Sequence, residues 1–168
     1  MPENEPHFAL ADARYLPFAV ESFDGAFSYS TIQHFSRQNA LIILDNIARV
    51  LKPGGKTVIQ MPNIGGISAR LRAIRGVDLR EGSEFDVRWY SLGELTQIFA
   101  EHIGNSNWSI DCFLGLNVHA RDKKHVKRIR KLVIHAASIA EFVARKIPVA
   151  RNFSDSVFVN STKEGIPL

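Results

Sequence analysis

The sequence is poor in cysteine and contains no long hydrophobic run. Cys112 is the only cysteine among 168 residues, so a disulfide within the chain and a cluster of thiolate metal ligands are both excluded. A single cysteine fits a reducing compartment. The longest mainly apolar stretch, residues 132–144, is interrupted by polar side chains and is shorter than the roughly 20 residues that span a bilayer.

The amino-terminal residues 1–5 also lack the basic region and apolar run of a secretory signal, because they are polar and acidic. The composition does not indicate disorder, since 45% of the residues are hydrophobic and 10% are aromatic. A chain of this length suffices for one domain with one core. We therefore expect a soluble, cytoplasmic domain.

Positive charge is unevenly distributed, although the formal net charge is only +4. Residues 121–151 contain ten Lys and Arg residues, opposed only by Asp122 and Glu141. Apolar residues recur at helical spacing over 122–147, which predicts a long basic amphipathic helix. We favour packing of its apolar stripe on a sheet over the alternative, peripheral contact with an anionic membrane. Binding to nucleic acid is not favoured, because no basic groove with interleaved aromatic residues is present.

Strand and helix patterns alternate along the chain. Ser36 is a candidate N-cap for a helix that ends at the turn 52–55, and Ser91 with Glu94 forms a candidate capping box for a second helix. Residues 65–88 form a polar excursion with one short helix. The predicted strands are 7–11, 23–29, 57–61, 108–116 and 156–160. This alternation predicts an α/β sheet with helices on its faces.

Ligands of such sheets bind beyond the carboxyl ends of the strands. That rule singles out three places in this sequence, namely Asp12, Ser28 to Ser30, and Met61 to Asn63.

Two segments carry a resemblance to a known family. Residues 11–35 read ADARYLPFAVESFDGAFSYSTIQHF, and residues 49–55 read RVLKPGG. In this order and spacing they resemble the middle of class I S-adenosylmethionine-dependent methyltransferases of the ubiquinone/menaquinone and small-molecule type. The resemblance is specific over residues 8–63 and weaker through residues 88–91 and 155–161.

The resemblance implies an incomplete Rossmann-like methyltransferase sheet with flanking helices. The family order is 3-2-1-4-5-7-6, so the two front strands and the glycine-rich loop are expected to be absent. Residues 1–168 would form a single partial domain, divided into a cofactor-side core (8–63), a variable excursion (64–90) and a carboxyl-terminal part (91–168). The strand 23–29 would have an uncovered edge, which could join a homodimer or a complementing chain.

The resemblance also implies a site for S-adenosyl-L-methionine. Asp12 would accept a hydrogen bond from the adenine amino group, and Ala13 would offer its backbone N–H to the ring. Ser28, Tyr29 and Ser30 would lie under the methionine part of the cofactor. The alternatives are that Asp12 only begins a turn and that residues 28–30 are an ordinary strand end.

Three further residues are candidates for contact with the methyl acceptor. His34 is the candidate general base, although a histidine at a helix start is more often a packing or hydrogen-bonding residue. Trp89 and Tyr90 would wall the acceptor pocket or, alternatively, belong to the core. Asp24 and the turn 52–55 are assigned structural roles, and no metal site is predicted.

The function implied is methyl transfer from S-adenosyl-L-methionine to a small-molecule acceptor. Full activity would need the missing amino-terminal half. The alternative is a non-catalytic, truncated methyltransferase-like module that associates with another chain. The sequence does not identify the acceptor, because specificity in this superfamily lies in variable segments.

Overall fold

The computed structural model describes residues 7–80, 86–113, 139, 142–143 and 146–165. Most of the helix predicted over 122–147 lies outside these residues. The described strands are β1 (Phe23–Ser28), β2 (Leu51–Pro62), β3 (Gly104–Cys112) and β4 (Ser156–Lys163). The described α-helices are α1 (Arg37–Val50), α2 (Ile67–Ile74) and α3 (Leu92–His102). Short 3-10 turns occupy Ala13–Tyr15, Ile32–His34 and Pro148–Phe153.

The four strands form one sheet in the order β1-β2-β4-β3. β1 and β2 are parallel, with Ser28 opposite Ile59, whereas β4 runs antiparallel to both β2 and β3. This arrangement is the 4-5-7-6 half of the sheet order that the resemblance implied. Within the described part of the chain, β1 is an edge strand, as predicted.

The strand predicted at residues 7–11 is wrong. These residues have no regular secondary structure, and Phe8 and Leu10 are 91% and 105% exposed. A strand is stable when a neighbouring strand satisfies its backbone N–H and C=O groups. Among the described strands, none pairs with this segment, so its apolar side chains alone do not order it.

The predicted turn at 52–55 lies inside β2 rather than before it. α1 ends at Val50, as predicted, and β2 begins at the next residue. The register places Phe23 opposite Leu51 but Gly25 opposite Lys56, so the intervening residues of β2 bulge outward. Gly54 permits this path with φ +77°, a left-handed conformation that favours glycine.

Two strand boundaries also differ from the prediction. β3 begins at Gly104 rather than at residue 108, and β4 continues to Lys163 rather than ending at residue 160. In these extensions small and polar side chains dominate, so an apolar run marks only part of each strand. Residues 114–116 of the predicted strand lie outside the described part of the chain.

The two helix caps are confirmed. The Ser36 Oγ accepts a hydrogen bond from the Asn39 N–H at 3.2 Å, and Ser91 and Glu94 form the reciprocal capping box of α3. The helix predicted within the excursion is present as α2.

The core lies on one face of the sheet, beneath α1 and α3. Side chains from both the helices and the strands pack in this core and are almost completely buried. The main members are Ile43 and Leu44 of α1, Ile59 and Met61 of β2, Leu95 and Phe99 of α3, and Val157 and Val159 of β4. On the other face, Phe27, Tyr29 and Val58 are 69%, 41% and 37% exposed. We call this second surface, from Phe27 and Tyr29 across Val58 to Phe158, the open face.

Candidate functional site

The segment that carries Asp12 is fastened to α1. The Arg49 guanidinium donates hydrogen bonds to the carbonyl oxygens of Phe18 and Leu16 at 2.9 and 2.7 Å. The Asn46 Nδ2 donates to the Arg14 carbonyl oxygen at 2.8 Å. These bonds hold the segment in place although it does not pair with a described strand. They also give Arg49, the first residue of the segment 49–55, a structural role.

Asp12 begins the 3-10 turn Ala13–Tyr15. Its Oδ1 accepts the Arg14 backbone N–H at 2.9 Å, and its Oδ2 lies 2.6 Å from the Arg14 Nη2. The hydrogen bonds from the side chain and the backbone of Arg14 hold the pKa of Asp12 below its ordinary value. The carboxylate is therefore ionised at neutral pH, and its side chain is 40% exposed. Asp12 thus begins a turn, as the alternative interpretation had it, and its carboxylate is also accessible to a ligand. Contact between Asp12 and adenine stays a prediction.

The predicted residues 28–30 lie at the carboxyl end of β1. Ser30 has φ +52°, an uncommon left-handed conformation for a residue with a side chain. Its backbone N–H donates to the Gln60 Oε1 at 3.0 Å, and its Oγ accepts from the Gln33 Nε2 at 2.9 Å. Residues on two other elements therefore fix this strand end.

Gln33 and Gln60 are residues that sequence reasoning missed. Each is only 7% exposed, which is unusual for glutamine and is explained by the hydrogen bonds to Ser30. A signal was present for Gln60, which interrupts the apolar run 58–61 of a strand that is otherwise buried at this end. For Gln33 no sequence pattern indicated burial.

His34 is partly buried beside this group. Its Nε2 lies 3.4 Å from the Gln33 Nε2, and its carbonyl oxygen accepts from the Arg88 Nη1 at 2.9 Å. The structure thus brings His34 and Ser30 to the same glutamine at the carboxyl end of β1. The role of His34 as a base stays a prediction.

Trp89 and Tyr90 are both buried. Trp89 packs in a small cluster with Ala69 and Leu79, and Tyr90 belongs to the main core. The Arg37 guanidinium lies 4.3 Å above the Tyr90 ring and donates to the Trp89 carbonyl oxygen at 2.8 Å. Tyr90 also lines a cleft of about 250 Å³ between α1 and α3. This burial agrees with the core alternative, and their contact with an acceptor stays a prediction.

Met61 and Asn63, singled out as a strand end, are inside the protein. Asn63 is 1% exposed, and its Nδ2 donates to the carbonyl oxygens of Asn152 and Ser154 at 3.0 and 2.8 Å. Met61 is a core residue. At the end of β2, the expectation that ligands bind beyond the carboxyl ends of strands therefore identified residues that pack or hydrogen-bond inside the protein.

Asp24 and Lys52 form an ion pair, with 2.7 Å between Oδ1 and Nζ. The pair joins β1 to the bulge of β2, in agreement with the structural role assigned to both segments. Within the described residues, no group of three or more His, Cys, Asp or Glu side chains could hold a metal ion. No helix of the described ranges is both long and apolar enough to cross a bilayer.

These residues fit S-adenosyl-L-methionine in part. The exposed, ionised Asp12 suits an amine donor, and the fixed strand end at Ser30 offers backbone for close approach. The described residues include no glycine-rich loop at the end of a parallel strand: Gly54 and Gly55 lie at the start of β2, and Gly66 is packed against Asp155. The described residues therefore include candidates for one side of a cofactor site, and this role stays a prediction.

Comparisons with known proteins agree with this geometry. Residues 2–59 match the sequence model of a family described as a methyltransferase domain. The chain is 42% identical over 59 residues to an O-methyltransferase of Penicillium expansum, a match that covers 35% of this chain and 21% of that enzyme. The chain thus spans about a fifth of the length of this curated relative.

Solved structures share the fold. The chain is similar to one in the Haloferax volcanii complex between a methyltransferase and the activator Trm112, with TM-score 0.58, 16% identity, and coverage of 96% of this chain and 62% of that one. Phosphoethanolamine N-methyltransferase 2 of Haemonchus contortus, solved with S-adenosyl-L-methionine, gives TM-score 0.57 and 18% identity, with coverage of 92% and 36%. At such identities the likeness concerns the fold.

The matched segment contains the Asp12 turn, β1 and α1, and the whole sheet has the order of the corresponding half of the methyltransferase sheet. Sequence and fold point to the same conclusion. Residues 2–59 are thus similar to a methyltransferase domain, and the described residues share the fold of the solved structures.

Proposed function

We propose that this chain contributes to methyl transfer from S-adenosyl-L-methionine to a small-molecule acceptor. The observation that carries the proposal is the Asp12 turn, which Arg49 and Asn46 fasten to α1. This arrangement presents an ionised acceptor group on a fixed backbone, as recognition of an amine requires.

The described residues divide the work of binding. Asp12 and Ala13 would hold the adenine, and Ser28, Tyr29 and Ser30 would support the methionine part. When bound, the cofactor supplies an electrophilic methyl group on a sulfonium. The imidazole of His34 would accept the proton of an acceptor hydroxyl, which raises the nucleophilicity of that oxygen. The name of the Penicillium expansum relative supports oxygen as the acceptor atom.

Full activity would need a glycine-rich loop in addition to the described residues. The chain matches only part of its relatives, and the candidate residues described above would provide one side of a cofactor pocket. We therefore expect this chain alone to bind the cofactor weakly. A cytoplasmic location, expected from the lone cysteine, belongs to the same proposal.

The second candidate is a non-catalytic module that associates with another chain or with a second copy. The open face favours it, because Phe27 is 69% exposed on β1, which is an edge strand among the described residues. The Haloferax volcanii neighbour was solved in complex with an activator, which shows that a protein of this fold can work with a second chain.

Calorimetric titration with S-adenosylhomocysteine tests the first candidate. We expect measurable binding that the substitution Asp12→Ala weakens about tenfold, as loss of a hydrogen bond to a charged group does. Asp24→Ala is the matched control, because Asp24 is an exposed aspartate committed to Lys52. No heat with the wild-type chain at high concentration would reject binding by this chain alone.

Sedimentation velocity tests the second candidate. A module that pairs through β1 should self-associate as its concentration rises, and Phe27→Lys should abolish the association. A monomer at all concentrations with a cooperative thermal transition would reject pairing between copies. Because this measurement needs no cofactor, its result is independent of the titration.

A further inference from the structure

α2 exposes large apolar side chains to solvent. Leu71 and Ile74 of this helix are 51% and 83% exposed, and Val77, just after its end, is 46% exposed. Among the residues of α2, only Ala69 is fully buried. A surface helix ordinarily turns its aliphatic side chains toward the core, so this helix has the reverse arrangement.

The positions around the helix axis make the reversal regular. Each residue advances about 100°, so Leu71 lies about 200° from the buried Ala69 and Ile74 about 60° from Leu71. Arg70 falls on one side of this apolar stripe, and Arg75 and Arg72 on the other. The solvent side of α2 is therefore an aliphatic stripe with arginines along both margins.

α2 is held firmly by its other side. The Asp155 carboxylate accepts the Ser68 backbone N–H at 2.6 Å and the Ser68 Oγ at 3.1 Å. A Cβ at Gly66 would lie 2.6 Å from the Asp155 Oδ1, so only glycine allows this approach. The Arg70 guanidinium lies 4.7 Å from the Phe153 ring centroid. The stripe is thus presented on a fixed support.

We propose that the solvent side of α2 binds an anionic membrane surface. Leu71 and Ile74 would enter the boundary between headgroups and acyl chains, and the arginine stems would lie along it with their guanidinium groups at the lipid phosphates. Charge complementarity selects this occupant: Arg72, Arg75 and Arg80 are exposed in residues 67–80, where Asp78 is the only acidic residue.

α2 is a different part of the sequence from the basic segment 122–147, for which membrane contact was the less favoured alternative. It is also separate from the Asp12 site, so the inference does not depend on methyl transfer. It predicts that the excursion between β2 and α3 determines where the protein acts.

Vesicle co-flotation tests the inference with the full chain. We expect the chain to float with vesicles of phosphatidylcholine and phosphatidylserine and to remain unbound with phosphatidylcholine alone. Arg75→Glu should reduce binding to the mixed vesicles well beyond the roughly fivefold effect of one basic residue, since it also adds a repelled charge. Ile74→Ser should reduce it about as strongly. The controls are Lys56→Glu and Val20→Ser, which make similar changes at exposed positions outside α2.

A gain of function complements these losses. Ile74→Trp should bind the mixed vesicles more tightly and shift its fluorescence to shorter wavelength when vesicles are added, because tryptophan favours the interface. Equal binding to neutral vesicles, or losses no larger than those of the two controls, would overturn the proposal. Equally tight binding of soluble poly-glutamate that Ile74→Ser leaves unchanged would also overturn it, in favour of an acidic protein partner.

Discussion

The two faces of the sheet differ in what covers them. One face lies under α1 and α3, and its alternate side chains, such as Ile59 and Val159, are completely buried. The open face exposes Phe27, Tyr29 and Val58; Phe27 stacks on Tyr29 with 6.5 Å between ring centroids, and the Tyr29 ring lies 6.1 Å from that of Phe158. The comparison teaches that stability of the described residues resides on the helical side, and that the Asp12 turn is fastened to that side.

Substitution of one phenylalanine on each face gives the largest expected contrast. Phe99→Ala on the covered face should lower the free energy of unfolding by about 3–5 kcal/mol, because it leaves a cavity in the core. Phe27→Ala on the open face should lower it by less than about 1 kcal/mol, since the ring is largely hydrated already. Urea unfolding measures both. Equal losses would show that the open face is covered in solution.

Removal of the clamp on the Asp12 segment should have the next largest effect. Arg49→Leu leaves the carbonyl oxygens of Leu16 and Phe18 without their charged donor, so we expect a loss of about 2 kcal/mol. Amide hydrogen exchange over residues 13–18 should accelerate. Lys52→Leu is the control, because its exposed ion pair with Asp24 contributes at most about 1 kcal/mol. Unchanged exchange in Arg49→Leu would refute the clamp.

The support of Ser30 should have an effect of about 1 kcal/mol. Gln60→Leu removes the oxygen that accepts the Ser30 N–H, so stability should fall by roughly that amount and the Ser30 amide should exchange faster. Gln60→Glu keeps an acceptor oxygen and should preserve slow exchange at Ser30. Equally fast exchange of the Ser30 amide in Gln60→Leu and Gln60→Glu would contradict the hydrogen bond as the cause.

The smallest expected effect concerns the charge of Asp12. Arg14→Ala removes the side-chain donor but keeps the backbone N–H of residue 14, so the pKa of Asp12 should rise part of the way to its ordinary value. In the wild type the lowered folded pKa adds stability above the unfolded pKa, and this is lost as pH falls through the folded pKa. Arg14→Ala should have a smaller stability gain from the ionised Asp12. Carbon-13 titration of the Asp12 carboxyl group measures the shift, and Arg14→Lys should fall between. An unchanged pKa would contradict the assigned cause.

Local chemistry made the helices predictable. Ser36 and Ser91 cap their helices through hydrogen bonds that span three residues, so the pattern alone reveals them. The end of α1 before the segment 52–55 is equally local. For the candidate site, the family resemblance predicted Asp12 and residues 28–30, and their contact with a cofactor stays a prediction.

What the sequence did not reveal depends on distant partners. The apolar segment 7–11 has the composition of a strand, but among the described residues no strand lies beside it. Gln60 hydrogen-bonds to a residue 30 positions away, and Asn63 to carbonyl oxygens about 90 positions away. Such contacts are set by the topology of the sheet, which a pattern of neighbouring residues does not contain.

The position of β4 has a consequence for how the sheet assembles. β4 is the last of the described strands along the chain, yet it lies between β2 and β3, with Thr57 opposite Ser161 and Trp108 opposite Val159. During synthesis from the amino terminus, β3 therefore leaves the ribosome with no strand to join it to β2. Until residues 156–163 emerge, the edge of β2 that pairs with β4 has no partner strand, and β3 is not joined to the sheet. Closure of the sheet is thus a late event of high contact order, and this interval is when a nascent chain would most need a chaperone.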